Sequence, residues 1–495
     1  MRTKSASHCS AASFTQTIPL KTESCLSRRW AVSFFLFRNR QVKVAEPCKP
    51  RSFASFPSMG KEEENSVFSN MKHLINNIFL LLLIVPQPCF GQKAKKPQVL
   101  VYGSDLLAFS AAVQSAKSSV PTIWLVDGEQ LMPEFSGGQV QIESMTHTDG
   151  GIWMEILMEM ALAKSPDDSL ATVVKREMNP RLFQNAVDKI VRKLPQLTVI
   201  RGEDVLSIKR RKRDWEIQVS SKHKHVIRCI VDASRQQALY KLAAISWDNN
   251  IRRMQPLGTL SLAQVRTLVA AGEIGGSLYG IQLENIFAGE KEGFFDFRGV
   301  TELLQDDLAL SPFRAAVGQA VGATAAYLAF FKTSADKVDV RKLQTELMTY
   351  KGRILPYQDV PISDIHFYAL QRFGLASVLP NLHKDEGFRF QKDEHVSFKE
   401  VEPIFDRLYS RSQLWFLDNK GDYFQWKDFL SLIKFVGLRG DEISQQIEKE
   451  WSARLKFEGS FDEEAFVSRY QFAIIMDKYA NPYVKAVNQQ GDFIN

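Results

Sequence analysis

Residues 99–127, "VLVYGSDLLAFSAAVQSAKSSVPTIWLVD", constrain the fold more than any other stretch of the chain. The β-formers of "QVLVYG" end in Gly103, the pattern of a strand buried on both faces. Leu106, Leu107, Ala108, Ala111, Ala112 and Ala116 then recur at helical spacing, and the small residues among them let a helix lie close to a sheet. "TIWLVD" is the next strand. Strand, tight turn, helix and strand in about thirty residues predict a right-handed βαβ unit in a parallel sheet, hence an α/β fold.

Such a unit has its own chemistry. A first glycine allows the tight turn, a second lets backbone N–H groups approach a pyrophosphate, and a third small residue packs helix on strand. Gly103 fills the first place, Asp105 stands in the second and Ala108 fills the third. Asp127, 24 residues after Gly103, suits the acid that accepts hydrogen bonds from a ribose. Asp105 departs from the pattern: a carboxylate 4 Å from a phosphate charge is repelled by about 4 kcal/mol in an intermediate dielectric. Asp is also a favoured N-cap, so its side chain can instead close the helix start. A dinucleotide site and a βαβ unit kept for structure both remain open on these residues.

Charge and cysteines divide the chain at the same place. Residues 1–91 hold 12 Lys/Arg against 5 Asp/Glu, and the remainder holds 51 of each. The net charge of +7 therefore belongs to the leader, and the neutral body carries no electrostatic footprint for nucleic acid. Cys9, Cys25, Cys48 and Cys89 lie in the leader and Cys229 alone in the body, which excludes an internal disulfide and Cys-only metal sites there. Residues 71–91 read as a signal peptide: Lys72 and His73, an apolar run from Ile78 to Val85, Pro86, then Cys89 and Gly91 at −3 and −1 of a cut before Gln92. The run is too short for a spanning helix, so no transmembrane helix is expected in the mature chain. Residues 1–70 read as a mis-assigned extension ahead of a true start at Met71; a disordered tail or transit peptide is the alternative. Export to a bacterial periplasm or beyond follows as the expectation.

Downstream, "NPRLFQNAVDKIVRKLPQ" is an amphipathic helix, and residues 197–234 read as three to four short strands ending in Asp232-Ala233-Ser234. With these pieces in order, residues 97–350 resemble the FAD-dependent oxidoreductases related to glutathione reductase and fumarate reductase. The strand–Gly–helix–Asp unit opens that family's FAD domain, and "FSGGQ" (135–139) matches its Gly-Gly loop with Gly137 and Gly138. "VDASRQ" keeps Asp232 and Ala233 of a later motif but has Arg235 where the family has glycine. "NIFAGE" matches an Ala-Gly strand end at Gly289, and "RAAVGQAVGATAAYLA" matches the closing helix at Gly318 and Gly322. The resemblance implies a Rossmann-like FAD/NAD(P)-binding domain with a β-meander over 92–350, and FAD as cofactor. It implies cofactor contacts at Gly103, Ala108, Asp127, Gly137, Gly138, Asp232, Ala233, Gly289, Gly318 and Gly322, with a small-molecule substrate. The insert at 245–284 is far shorter than the family's substrate domain. In "MTHTDGG" (145–151), His147 is the candidate proton donor or acceptor and Asp149 its orienter, a polar loop being the plainer reading. Trp153 and Glu155 read as core and surface of the next helix.

Residues 351–495 read as a mostly α-helical domain with a weak repeat. Ser397 and Glu400 form an S-x-x-E capping box, and 71 residues on Val467, Ser468, Gln471, Ile475 and Asp477 follow the same pattern. The units resemble S-layer homology modules, with Gln391 and Lys392 where a proline would stand. That resemblance implies a cell-wall glycan partner; packing against the preceding domain is the alternative. Two functions remain: an exported FAD-dependent oxidoreductase, or a non-catalytic relative acting in binding or at the cell envelope.

Overall fold

The computed structural model describes residues 96–494 except 139, 235–237, 246–252, 288–290, 292, 296–299, 301–303, 305–306 and 381–386. The signal peptide, residues 1–70, Arg235 and Gly289 lie outside the described residues.

Among the described residues five parallel strands form the central sheet: β1 (Val99–Tyr102), β2 (Thr122–Leu125), β3 (Leu197–Ile200), β7 (Cys229–Asp232) and β11 (Phe294–Phe295). Their order is β11-β7-β1-β2-β3, and every pairing is parallel. The chain runs outward from β1 to β3, then returns to the other side of β1 through a meander of β4 (Val205–Arg211), β5 (Asp214–Val219) and β6 (Lys224–Ile227). Strand order therefore reverses beside β1. Tyr102 pairs with both Leu125 and Asp232, so the carboxyl ends of three strands are flush there. A crevice outside such a reversal is where open α/β sheets bind ligands.

Strand alternation sorts the core into two layers. Leu100, Ile123, Leu125 and Ile230 face the meander, against Ile208, Trp215, Ile217 and Ile227. Val99, Val101, Trp124 and Val231 face the helices. There α1 (Leu106–Lys117) crosses α5 (Ser311–Phe331), with α2 (Gly151–Met160), α3 (Asp168–Arg176) and α4 (Pro180–Arg192) alongside. The α1–α5 crossing explains "GQAVGATAA". A Cβ on Gly318 would stand 2.3 Å from the Leu107 carbonyl oxygen, and one on Gly322 2.2 Å from that of Ala111. Small residues four apart let the two backbones touch. The insert forms a second sheet of β8 (Gln255–Pro256), β9 (Leu268–Ile274) and β10 (Ser277–Gln282), in the order β8-β10-β9.

Residues 351–495 pack directly on this body. Buried Arg353 reaches Asp168 in α3, and buried Arg266 donates to the Gly491 carbonyl at 2.7 Å. Helices α8 (Phe398–Leu408) and α10 (Arg469–Tyr479) are each closed by a capping box, at Ser397 and Ser468. A third unit stands between them, α9 (Trp426–Gly437), whose box pairs Gln425 with Asp428. The three approach segments bond cyclically: Val396 N–H to Val467 O (3.2 Å), Val467 N–H to Phe424 O (2.9 Å), Phe424 N–H to Val396 O (2.9 Å). All three ring residues are fully buried. Phe398, Trp426 and Arg469 close a second round by donating to the Asp422, Ala465 and Glu394 carbonyls. Among the described residues no helix is long and apolar enough to cross a membrane.

Candidate functional site

The crevice beside β1 has a volume of about 610 Å³ and is lined by Tyr102, Ser104, Asp105, Asp127, Pro133, Glu134, Ala233, Ser234 and Ala238. Strand ends from β1, β2 and β7 thus meet there. Gly103 makes the corner at φ +139°, where a Cβ would come within 3.0 Å of the Ala233 carbonyl carbon and 3.1 Å of the Ala108 Cβ. Its carbonyl accepts from the indole Nε1 of Trp124 at 2.8 Å. Gly103, Ala108 and Ala233 therefore build the corner by close approach. Asp127 lies exposed at the rim.

The start of α1 is answered by the protein's own acids. Asp105 is the N-cap, its Oδ1 accepting from Ala108 N at 2.9 Å. Its Oδ2 meets Arg314 Nη2 of α5 at 2.5 Å. Glu134, from the loop after β2, accepts from Leu106 N at 2.9 Å through Oε1, with Arg314 Nη1 at 3.9 Å. Glu134 Oε2 is buried without a hydrogen-bond partner, in a side chain only 7% exposed. Burial pushes the Glu134 carboxyl above its ordinary value; Arg314 pulls it back and Asp105 pushes it further up. The loop is tied down as well, Met132 donating to the Ser104 carbonyl at 2.6 Å. Helix N-terminal amides that would face an anion thus carry two carboxylates and a bridging guanidinium.

The remaining expected contacts fall into local roles. Asp232 accepts from Ser234 Oγ at 2.6 Å and from Tyr240 N at 2.9 Å, starting the short helix at Ala238, and burial pushes its carboxyl up. Gly137 and Gly138 are exposed, with open space where a Cβ would stand, so neither makes a close approach. Gly318 and Gly322 lie in the helix crossing.

His147 and Asp149 do not form a pair. Asp149 is fully buried; its Oδ1 accepts from Trp153 Nε1 at 2.9 Å and its Oδ2 meets Lys175 Nζ at 2.5 Å. Both oxygens are engaged, so neither orients the imidazole. Burial pushes Asp149 up to about 6, with Lys175 pulling the other way. His147 is held down to about 4 by burial and the nearby Arg353. Arg353 fastens the same loop, donating to the Thr146 carbonyl at 3.1 Å while its guanidinium forks onto Asp168 at 3.2 Å. Lys175 also donates to Ser144, at 2.9 Å to Oγ. "MTHTDGG" is a keystone between α2, α3 and the C-terminal part, and neither residue lines the crevice. Trp153 is core, and Glu155 pairs with Lys117 at 2.7 Å. Sequence reasoning missed Glu134, Arg314, Lys175 and Arg353. A buried position in an amphipathic helix is the only trace Lys175 leaves. Among the described residues no group of His, Cys, Asp and Glu could hold a metal ion.

No family model and no curated protein matches the chain. Solved structures similar to part of it include the bacillithiol disulfide reductase Bdr (YpdA) from Staphylococcus aureus, at 16% identity over 28% of this chain and 38% of that one, TM-score 0.21. The tetracycline destructase Tet(51) shares 14% over 33% and 44%, TM-score 0.22. OTEMO in complex with FAD and NADP shares 11% over 28% and 26%, TM-score 0.21. The chain thus spans under half the length of each.

Proposed function

We propose that this chain is a flavoprotein-fold nucleotide binder with FAD as its ligand, a flavin-dependent oxidoreductase acting on a small substrate. The observation that carries this reading is the crevice at the strand-order reversal, with the Gly103 corner on one wall and Asp127 at its rim. The adenosine end fits: Asp127 is exposed at the rim to accept from ribose hydroxyls, and Ser104, next to Gly103, borders the space. The diphosphate end fits only once Glu134 has left the Leu106 amide, because one N–H cannot serve both anions. Arg314, which already holds Asp105 at the start of that helix, would then be a cation beside the phosphates. Bound flavin would supply hydride or electron transfer. This chain's own residues bind and orient; Asp149 holds the loop at 145–151 in place, and neither it nor His147 moves a proton in this reading.

A second reading is favoured by the same corner. With Asp105 and Glu134 already on the α1 amides, the fold serves as a non-catalytic scaffold for binding or interaction. The purified full chain decides between them. Yellow visible absorption that survives dialysis, or a rise in unfolding temperature with added FAD, supports the first. A colourless protein that FAD neither tints nor stabilises, as wild type and as Glu134→Ala, supports the second. Export is part of the proposal, resting on the basic start at Met71 and the apolar run that follows. Mass spectrometry of the exported chain is expected to find Gln92 at its N-terminus; retention of Met71 would overturn it.

A further inference from the structure

The cyclic ring of the C-terminal part presents an aromatic surface. Each approach segment is extended, so its side chains alternate. Val396, Phe424 and Val467 turn inward, and the residues just before them, His395, Tyr423 and Phe466, turn outward. The three rings meet around the ring's axis, with centroids 6.2 Å apart for His395–Tyr423, 5.1 Å for His395–Phe466 and 6.2 Å for Tyr423–Phe466. Tyr423 is 50% and Phe466 48% exposed, and His395 is exposed too. Closure of the ring does not require them, since backbone bonds and the inner residues already provide it. Three segments of different sequence nevertheless place an aromatic ring at the same outward position.

The rim is acidic. The loops leading to the triad carry Asp393 and Glu394, Asp422, and Asp462, Glu463 and Glu464, all exposed. Two of their cations are drawn elsewhere, Lys392 over Tyr470 at 6.0 Å and Lys420 to Glu402 at 3.5 Å, while Lys427 pairs with Glu464 at 2.5 Å and leaves five rim acids, Asp393, Glu394, Asp422, Asp462 and Glu463, for a partner. Aromatic faces attract cations through their quadrupoles, and neighbouring carboxylates add a Coulombic pull. We propose that this triad is the docking site for a basic protein segment, an arginine guanidinium stacking on the rings while adjacent cations meet the rim acids. A planar guanidinium stacks on aromatic faces better than a compact ammonium, and acids spread over three loops suit a chain of charges more than a single ion.

Fluorescence anisotropy of a fluorescein-labelled hexa-arginine peptide with the full chain tests this. Saturable binding at physiological salt is expected, with Phe466→Ala and Tyr423→Leu each weakening it about two- to fivefold. Tyr423→Phe, which keeps the ring, is expected to bind as wild type. The unfolding midpoint of each variant is measured alongside, and Tyr423→Leu against Tyr423→Phe decides if Phe466→Ala lowers it. The proposal is overturned if hexa-arginine does not bind, or if ring variants bind as wild type while Glu394→Gln weakens binding. It also falls if the triad instead joins two copies of the chain, seen as a dimer in sedimentation that Phe466→Ala dissolves. Binding of a neutral glycan but not of the peptide would overturn it as well.

Discussion

Two places in the body bury carboxylates beside a cation, and they differ in one respect. At the keystone, Asp149 and Lys175 are 0% and 2% exposed and both carboxylate oxygens are engaged. At the corner, Asp105, Arg314 and Glu134 border a crevice, and Glu134 Oε2 has no hydrogen-bond partner. The keystone, although His147 Nε2 and Arg353 Nε lack hydrogen-bond partners there, is a structural joint away from the crevice. The corner borders a cavity, so an entering ligand can exchange with one of its partners. His147 and Asp149 thus belong to the joint, and the corner is the set that borders the crevice.

The largest test breaks the joint. Lys175→Met is expected to cost about 3–5 kcal/mol, because it leaves Asp149 buried without its cation. Asp149→Asn with Lys175→Met keeps an acceptor for Trp153 and is expected to restore most of that, in urea unfolding of both variants. A cost of the single change too small to measure would mean that the keystone is not structural. Next comes the helix crossing, where Gly322→Ala is expected to cost about 1–3 kcal/mol by overpacking. The same substitution in a glycine serving only a cofactor would leave the apoprotein's stability unchanged.

A smaller effect appears in acid. Because burial lowers His147 below its unfolded value, its contribution is complete above about pH 6.5 and is lost as pH falls toward 4. Discounted for partial exposure, the difference is of order 1 kcal/mol. Asp149 acts in the opposite direction, its raised value making the fold lose stability as pH rises from its ordinary range to about 6. Subtracting His147→Gln from wild type across pH 4–7 isolates the histidine. The smallest change belongs to the corner. Glu134→Gln keeps an acceptor for Leu106 and removes a charge that burial disfavours, so stability at neutral pH is expected to hold or rise by under about 1 kcal/mol. A large loss would show that the corner is as closed as the keystone.

Much of this architecture was legible in the sequence, for a physical reason. The βαβ unit announces itself by a change of period from strand to helix, and Asp105 by the preference of carboxylates for helix starts. Glu134 was not legible, since its bond to Leu106 spans 28 residues and depends on how one loop folds back. Gly318 and Gly322 could not be sorted in the sequence, because a helix that touches a helix and a helix that touches a cofactor need the same small residues; the structure shows the helix contact. The middle C-terminal unit was hidden by its cap, Gln425, a residue whose sequence signal is far weaker than that of Ser397 or Ser468.

The cyclic bonding of 395–398, 423–426 and 466–469 makes the C-terminal units interdependent. Each leans on the next, and the circle has no first member. A chain cut after residue 460 would not lose one third of that assembly's order. It would strand the amide of Val396 and the carbonyl of Phe424 together, opening a seam through the middle of the two helices left behind.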